Sequence, residues 1–327
     1  MPRTEQTTPD VLLPAPGDGF LVPACADLRV LRLWEEPDPE EALARYGAGI
    51  RALANPGEHP VTADLMDRLP NLGLIAQVGV GYDSVDVEAA VRRGVLVTNV
   101  AGSNDEEVAD TAFGLLLMTV RQLARAEAHL RSGRWATDGP YPLTAMSLRG
   151  RTLGVLGMGK IGRAVARRAE AFGMPVAYHT RTRRDVPYRY LPGPAELAAA
   201  VDVLVVAIPG GAATRHLVDA AVLQALGPDG VLVNVARGSV VDEPALVSAL
   251  RSGTLGAAGL DVFEDEPNVP PELLALDNAV LLPHVGSATV PTRRAMAELA
   301  ASNIRAWLER HEVLTPVAEV AELLNRD

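Results

Sequence analysis

The chain has a single cysteine, Cys25, and a single lysine, Lys160, among 327 residues. One cysteine excludes an internal disulfide and fits a reducing compartment. No apolar run reaches the roughly 18 to 20 residues that span a bilayer. The N-terminal "MPRTEQTTPD" also lacks an apolar stretch flanked by basic residues, so a cytoplasmic protein with no membrane partner is expected. Basic residues are outnumbered, 30 against 41 acidic ones. The formal net charge of -11 argues against a nucleic-acid partner, whose binding surface would carry a positive field. Any anionic ligand must be caught by local donors. The near-absence of lysine is attributed to codon composition and given no function.

What is present is ordinary globular material, 48% hydrophobic and 22% charged. A chain of this length is long for one core and comfortable for two domains. Short β-branched runs alternate with helical patterns, the signature of parallel sheets with crossover helices. "DVLLPAP", "LRVLRLW", "IRALAN", "LGLIAQVGV" and "VLVTNV" read as strands of a first unit, with "PDPEEALARY" and "TADLMDRL" as helices between them. The pattern restarts with "TLGVLG", "PVAYHT", "VDVLVVAI", "GVLVNVA", "AAGLDV" and "AVLLP". The fold class expected is therefore α/β, with two doubly wound parallel-sheet domains. Between them, one long helix over 104–131 is expected to connect the units, capped at Ser103 and Asn104, with Val108, Ala112, Leu115, Leu116 and Leu123 on one stripe. The final "PTRRAMAELAASNIRAWLERH" is expected to carry the chain back to the first unit. Residues 1–103 with 290–327 then form one domain and 104–289 the other.

In "RTLGVLGMGKIGRAVARRAEAFGM", Gly157, Gly159 and Gly162 have G-x-G-x-x-G spacing. Ile161, Ala164, Val165, Ala169 and Phe172 follow at helical spacing, and Gly173 supplies a stop. Strand, glycine turn and helix together predict dinucleotide binding, with the pyrophosphate at the helix N-terminus near Gly159, Lys160 and Ile161. An acid usually follows about 20 residues on, to meet the adenosine ribose. Here the stretch is "YHTRTRR", with no acid before Asp185. A carboxylate would repel a 2′-phosphate, whereas guanidinium pairs with phosphate bidentately. Arg181, backed by Thr180, Thr182 and Arg183, therefore points to NADP(H), with NAD possible but less favoured.

Three further segments, "VLVNVARGSVVDEPAL", "GAAGLDVFEDEP" and "LLPHVGSAT", each place a polar residue directly after a buried-looking strand, where open parallel sheets hold ligands. Arg237, Glu266 and His284 are their titratable or charged candidates. His59, His129, His179, His216 and His311 lack comparable settings and read as structural or surface groups.

With "GVLGMGKIGRAVARRAEAFGM" and "VGVGYDSVDV", these segments resemble the D-isomer-specific 2-hydroxyacid dehydrogenase family, and within it the glyoxylate/hydroxypyruvate reductase branch. The resemblance runs from about Asn55 to Arg310. It implies a flavodoxin-like substrate domain, a Rossmann nucleotide-binding domain and a homodimer formed through the nucleotide domains. It implies that Arg237 binds the carboxylate of a small 2-oxo acid and polarises its carbonyl, that Glu266 pairs with the catalytic histidine, and that His284 is the acid/base. The "VGVG" turn, with Val80 and Gly81, is implied to hold the substrate carboxylate. Pro209, Thr214, Ala236, Asp261 and Thr111 are implied to border the cofactor. No metal is needed, because imidazolium can supply the proton a reduced carbonyl requires. The chain departs from the family's commoner pattern in "IPGGAATRHLV", at Gly210 and Gly211, and at the start of "AGSNDEEVADTAFG". A formate- or phosphite-type dehydrogenase of the same fold is the second enzymatic reading. A dinucleotide-sensing corepressor without turnover is the reading from another class.

Overall fold

The computed structural model describes residues 8–57, 59–320 and 323–325. They fall into two compact units, Met1–Asn104 with Thr289–Asp327, and Asp105–Ala288.

The first unit runs β1 (Val11–Leu13), α1 (Leu21–Ala24), β2 (Val30–Arg32), α2 (Pro39–Tyr46), β3 (Ala52–Asn55), α3 (Ala63–Asp67), β4 (Leu74–Gln77), α4 (Val87–Arg92) and β5 (Leu96–Thr98). Its described strands form a parallel sheet in the order β2-β1-β3-β4-β5. That is the flavodoxin-like doubly wound order. Strands β1, β3, β4 and β5 are buried throughout, as expected of a parallel sheet covered on both faces. Local chemistry starts the helices: Asp38 accepts from the N–H groups of Glu40 and Glu41 ahead of α2, and Thr62 accepts from Leu65 ahead of α3. The last long helix, Val290–Arg310, returns to this unit and buries Met296, Ala297, Ala300 and Ile304 against it.

The second unit runs α5 (Asp105–Arg121), α6 (Leu123–Arg131), α7 (Arg134–Thr137), β6 (Leu153–Leu156), α8 (Lys160–Ala171), β7 (Val176–His179), β8 (Arg189–Tyr190), α9 (Pro194–Ala199), β9 (Val203–Val206), α10 (Ala220–Leu226), β10 (Val231–Asn234), α11 (Glu243–Ser252), β11 (Ala257–Leu260), α12 (Pro271–Leu274) and β12 (Ala279–Leu281). The described strands pair in parallel in the order β12-β11-β10-β9-β6-β7-β8. Alternation along the strands feeds two cores. Leu204, Val206 and Leu232 enter one, and Val203, Val205, Val231 and Val233 enter the other, because successive side chains point to opposite faces. Sheet order reverses between β6 and β9, so the switch point where such sheets bind ligands lies there.

The single helix expected over 104–131 is two helices. Gln122 between them is left-handed, with φ 49°, and the side-chain oxygen of Gln122 accepts a hydrogen bond from Tyr141 Oη at 2.8 Å. Past this break Leu123 leaves the apolar stripe and is 46% exposed. Ser103 and Asn104 do not cap α5 either. The Ser103 hydroxyl turns back to the Val100 carbonyl at 2.6 Å, and the buried Asn104 oxygen has no partner among the described residues. Three acids in the first turn, Asp105, Glu106 and Glu107, instead complement the helix dipole. Phe172 falls just past α8 and is 48% exposed.

Candidate active site

Strand register brings the candidate residues of the second unit to one edge of its sheet. Leu156, Val206, Asn234, Leu260 and Leu281 lie side by side at the C-terminal ends of β6, β9, β10, β11 and β12. Gly157, Ala207, Val235, Asp261 and Leu282 are therefore the first residues to leave the sheet. Arg237 and His284 each follow two residues further on.

The glycine turn after β6 is built for a close approach. Gly157 has φ 106°, and a Cβ there would lie 2.4 Å from the Ala207 carbonyl oxygen. A Cβ on Gly162 would lie 1.9 Å from the Gly157 oxygen, so helix α8 packs directly on the turn. Gly159 differs, because a Cβ there would meet nothing within 4 Å. It opens onto space at the N-terminus of α8, where no side chain caps the helix and Lys160 is exposed. Uncapped N–H groups beside open space suit the pyrophosphate of a dinucleotide. Beyond β7, Arg181 and Arg183 are exposed and form no ion pair with any described residue. Thr180 donates its hydroxyl to the Thr182 carbonyl at 2.8 Å.

Arg237 stands on a fixed turn. Asn234 donates to the Arg237 carbonyl and accepts from the Ala236 N–H, both at 3.0 Å, and the guanidinium donates to the Ala236 carbonyl at 2.8 Å. In the loop after β9, Thr214 donates to the carbonyls of Pro209 and Gly211 at 2.8 and 3.2 Å, which closes that loop on itself.

The acidic cluster after β11 divides three ways. Glu264 pairs with Arg215 and with His216 Nε2, and Asp265 accepts from Asn268. Glu266 accepts the Phe263 N–H at 2.9 Å on one oxygen and meets His284 Nδ1 at 2.7 Å with the other. His284 has φ 52°, a left-handed backbone uncommon for any residue but glycine, though histidine adopts it more often than most. Asp261 holds it there. Its carboxylate accepts the N–H groups of Val285 and Gly286, each at 2.8 Å, and its carbonyl accepts that of His284 at 2.9 Å. Thr111 on α5 donates to the Gly286 carbonyl at 3.5 Å, so the histidine loop is braced from two sides.

Electrostatics follow from this packing. The hydrogen bond to Glu266 raises the His284 pKa above its ordinary value, against burial and the nearby Arg237 charge, which lower it. Burial would raise Glu266, but the bond from His284, the Phe263 amide and the charges of His284 and Arg237 together hold it below its ordinary value. Burial pushes Asp261 up against the pull of the two amides.

The second unit matches the family model described as D-isomer specific 2-hydroxyacid dehydrogenase, NAD binding domain, over residues 113–286. A glyoxylate/hydroxypyruvate reductase A from Arabidopsis thaliana is 45% identical over 289 residues, 88% of this chain and 92% of that protein. The chain belongs to the D-isomer specific 2-hydroxyacid dehydrogenase family. A hydroxyphenylpyruvate reductase from Plectranthus scutellarioides, another relative, is 43% identical over 88% of this chain and 92% of its own. A solved NADPH-dependent glyoxylate/hydroxypyruvate reductase from Sinorhizobium meliloti, in complex with NADP and malonate, superposes with a TM-score of 0.89. It is 47% identical and covers 96% of this chain and 98% of its own.

The dehydrogenase's first unit contains the "VGVG" turn after β4. The carbonyls of Gly79, Val80 and Gly81 are engaged from within, by the Val100 N–H at 3.2 Å, Asn99 Nδ2 at 2.8 Å and Gln77 Nε2 at 3.1 Å. No described acceptor takes the N–H groups of Gly79, Val80 or Gly81. Backbone amides without a partner are available to an anion.

Sequence patterns did not single out the residues that hold these loops. Asn55 and Gln77, 0% and 1% exposed at paired positions on β3 and β4, are polar residues inside strands. Their signal is a buried amide at a strand end, which a pattern of apolar runs hides. His216, read as structural, makes a second histidine–glutamate pair with Glu264 at 3.0 Å. His129, His179 and His311 take structural roles, against the Gly139 carbonyl, the Leu191 carbonyl and the Trp307 ring.

Proposed function

We propose that the chain reduces small 2-oxo acids to D-2-hydroxy acids with NADPH, glyoxylate and hydroxypyruvate being the preferred substrates. The observation that carries this is the 2.7 Å contact of Glu266 with His284 Nδ1 at the sheet edge where Arg237 also emerges. NADPH, when bound, supplies the hydride for the carbonyl carbon. Glu266 accepts a hydrogen bond from Nδ1–H, which fixes the ring, and the imidazolium gives its Nε2 proton to the carbonyl oxygen and is left as neutral imidazole. With hydride on carbon and proton on oxygen, the ketone becomes an alcohol. Arg237 cannot lose its charge near neutral pH, so it holds the substrate carboxylate and favours the developing alkoxide. On the first unit, the amides of Val80 and Gly81 are assigned to carboxylate binding.

Unpaired Arg181, next to Arg183, supports NADP over NAD, because a 2′-phosphate supplies the anion these guanidiniums lack. In this reading Gly157, Gly159, Lys160 and Ile161 take the pyrophosphate, and Thr180, Arg181 and Thr182 the ribose phosphate. Pro209, Thr214, Ala236 and Thr111 flank the nicotinamide half, with Asp261 acting through the His284 loop. The first unit serves as the substrate domain and the second as the nucleotide domain. Similarity to the hydroxyphenylpyruvate reductase favours a second reading, in which the 2-oxo acid carries an aromatic side chain. Steady-state rates with glyoxylate, hydroxypyruvate and hydroxyphenylpyruvate, each with NADPH and NADH, test the proposal. It fails if NADH outperforms NADPH or if no 2-oxo acid is turned over.

A cytoplasmic homodimer is part of the same proposal. Leu123, Leu130, Trp135 and Leu143 are 46%, 55%, 62% and 100% exposed within one short stretch of the second unit. Large apolar side chains left exposed along one stretch are candidates for an association surface. Light scattering is expected to give twice the chain mass, and a monomer at micromolar concentration would reject the dimer. No helix among the described residues is long and apolar enough to cross a membrane.

A further inference from the structure

The arginine loop after β7 is gripped at both ends by tyrosine hydroxyls. Tyr178, 0% exposed, donates its hydroxyl proton to the Arg184 carbonyl and accepts the Arg184 N–H, both at 2.9 Å. Tyr190, from β8, donates to the Thr180 carbonyl at 3.3 Å. The two rings meet edge to face with centroids 5.5 Å apart, and the Tyr190 ring is inclined by 25° to the His179 ring with centroids 6.1 Å apart. His179 is itself tied to the Leu191 carbonyl at 2.9 Å. Between the two grips stand Thr180 to Arg184, with Arg181, Arg183 and Arg184 exposed and without an acidic partner among the described residues.

Such a construction is costly to explain as packing alone. A tyrosine buried for its ring needs one partner for its hydroxyl, and this one takes both backbone groups of a single exposed residue. The result is a loop whose two ends are fixed while its cationic side chains stay free. Long arginine side chains lose rotamer freedom when they bind, and a fixed backbone limits the remaining loss to the side chains themselves.

We propose that Tyr178 and Tyr190 are specificity-determining positioning residues, a clamp that presents Arg181 and Arg183 to the 2′-phosphate of NADP(H). The inference rests on the NADP reading above. Neither hydroxyl has to touch the nucleotide. The clamp acts only on the part of the site that distinguishes a phosphate from a hydroxyl, so its loss weakens one cofactor and spares the other.

Calorimetric titration of the full chain with NADP+ and with NAD+ tests this without turnover, using Tyr178→Phe, Tyr190→Phe and Arg181→Ala beside wild type. Tyr178→Phe is expected to raise the Kd for NADP+ roughly five-fold, the value of one or two hydrogen bonds, and to leave that for NAD+ within about two-fold. Amide exchange in the protein without nucleotide is expected to accelerate at Arg184. Tyr190→Phe, which removes a single longer bond, is expected to act in the same direction less strongly and provides the test if Tyr178→Phe does not fold. Equal weakening of both nucleotides would overturn the clamp in favour of a general structural role. So would an NADP+ preference that Arg181→Ala abolishes and both tyrosine variants keep. A wild-type protein that binds NAD+ at least as tightly as NADP+ would overturn the cofactor reading and the clamp together.

Discussion

Gly210 lies directly against Arg237: a Cβ on the glycine would sit 2.8 Å from the arginine Cγ and 3.3 Å from its Cβ. The contact is with the root of the side chain, which cannot swing aside as its tip could. One of the positions at which the sequence departs from its family's commoner pattern is thus the wall that aims the guanidinium. Gly210→Ala is expected to displace Arg237 and reduce kcat/KM for the 2-oxo acid by about ten- to a hundred-fold, mainly through KM. NADP+ binding should change little. Substrate-saturation curves beside a cofactor titration separate the two effects.

The pairing of His284 with Glu266 sets the pH behaviour. His284→Ala is expected to lower kcat by between about a hundred- and ten-thousand-fold, the range for a positioned acid/base, with nucleotide binding retained. Reduction needs the imidazolium, and the raised His284 pKa extends that form to higher pH. Glu266→Gln removes the carboxylate charge, so the alkaline limb of kcat/KM for reduction should move to lower pH. The acidic limb for oxidation of the hydroxy acid, which needs neutral imidazole, should move the same way. A profile unchanged by Glu266→Gln would mean another group governs the limb.

The same pair makes stability depend on pH, with opposite signs for its two members. His284 has a raised folded pKa, so its contribution is fully present below the unfolded value of about 6.5 and disappears as pH rises through the folded value. Glu266 has a depressed folded pKa, so its contribution is present above about 4.3 and disappears as pH falls through the folded value. The pair therefore stabilises most between those unfolded values. His284 is 36% exposed at the side chain, and solvent screening keeps the effect small. Melting temperatures of wild type and Glu266→Gln should differ most in mildly acidic buffer and converge at higher pH.

Asp261 is expected to act through the loop it holds. Asp261→Asn keeps the shape but offers a single acceptor to the two N–H groups of Val285 and Gly286, so one is left without its charged partner. Losing a hydrogen bond to a charged group costs about 1.5–3 kcal/mol, and the left-handed His284 is the residue most easily released. Lower thermal stability and a fall in kcat of roughly ten-fold or more are expected together. A variant that melts lower but turns over normally would show that the loop keeps its geometry without Asp261.

Much of the fold was legible because parallel strands buried on both faces read as continuous apolar runs. Each of the eleven strands anticipated from such runs is present, from Val11–Leu13 to Ala279–Leu281. The missing one, β8, is the two-residue edge strand Arg189–Tyr190, too short and polar to leave a pattern. The break at Gln122 was hidden because helical periodicity continues on both sides of it. At the site, residue types carried Arg237 and His284, but only the fold sorts Glu264, Asp265 and Glu266 into three different partnerships. The positive φ of His284 and the tyrosine grip on Arg184 left no trace, since a backbone angle and a hydroxyl's direction are tertiary facts. Tyr178 within "PVAYHT" reads simply as a strand residue.

Gln77 offers the sharpest test of the first unit. Its amide nitrogen donates to the carbonyls of Gly57 and Gly81 at 2.7 and 3.1 Å, and its oxygen accepts from Asn55 Nδ2 at 2.7 Å. Asn55 donates in addition to the His59 carbonyl at 3.0 Å, so the two amides tie the loops after β3 and β4 together. The Gly81 carbonyl is thereby tied to the Gln77 amide, which anchors the turn that carries the Val80 and Gly81 N–H groups. Gln77→Leu fills the space but takes the Gly81 carbonyl's donor, at a cost of about 1–3 kcal/mol if that group stays buried, while the Gly57 carbonyl keeps the Ser84 hydroxyl at 2.7 Å. The loop is expected to shift to regain solvent or another donor, and the amides of Val80 and Gly81 to move with it. KM for the 2-oxo acid is then expected to rise roughly ten-fold, with the Kd for NADP+ unchanged because it is read on the other unit. Gln77→Glu should do worse, since it presents acceptor to acceptor. Equal losses in substrate and cofactor binding would instead indicate general unfolding of the unit, and an unchanged KM would remove the Val80–Gly81 amides from the substrate site.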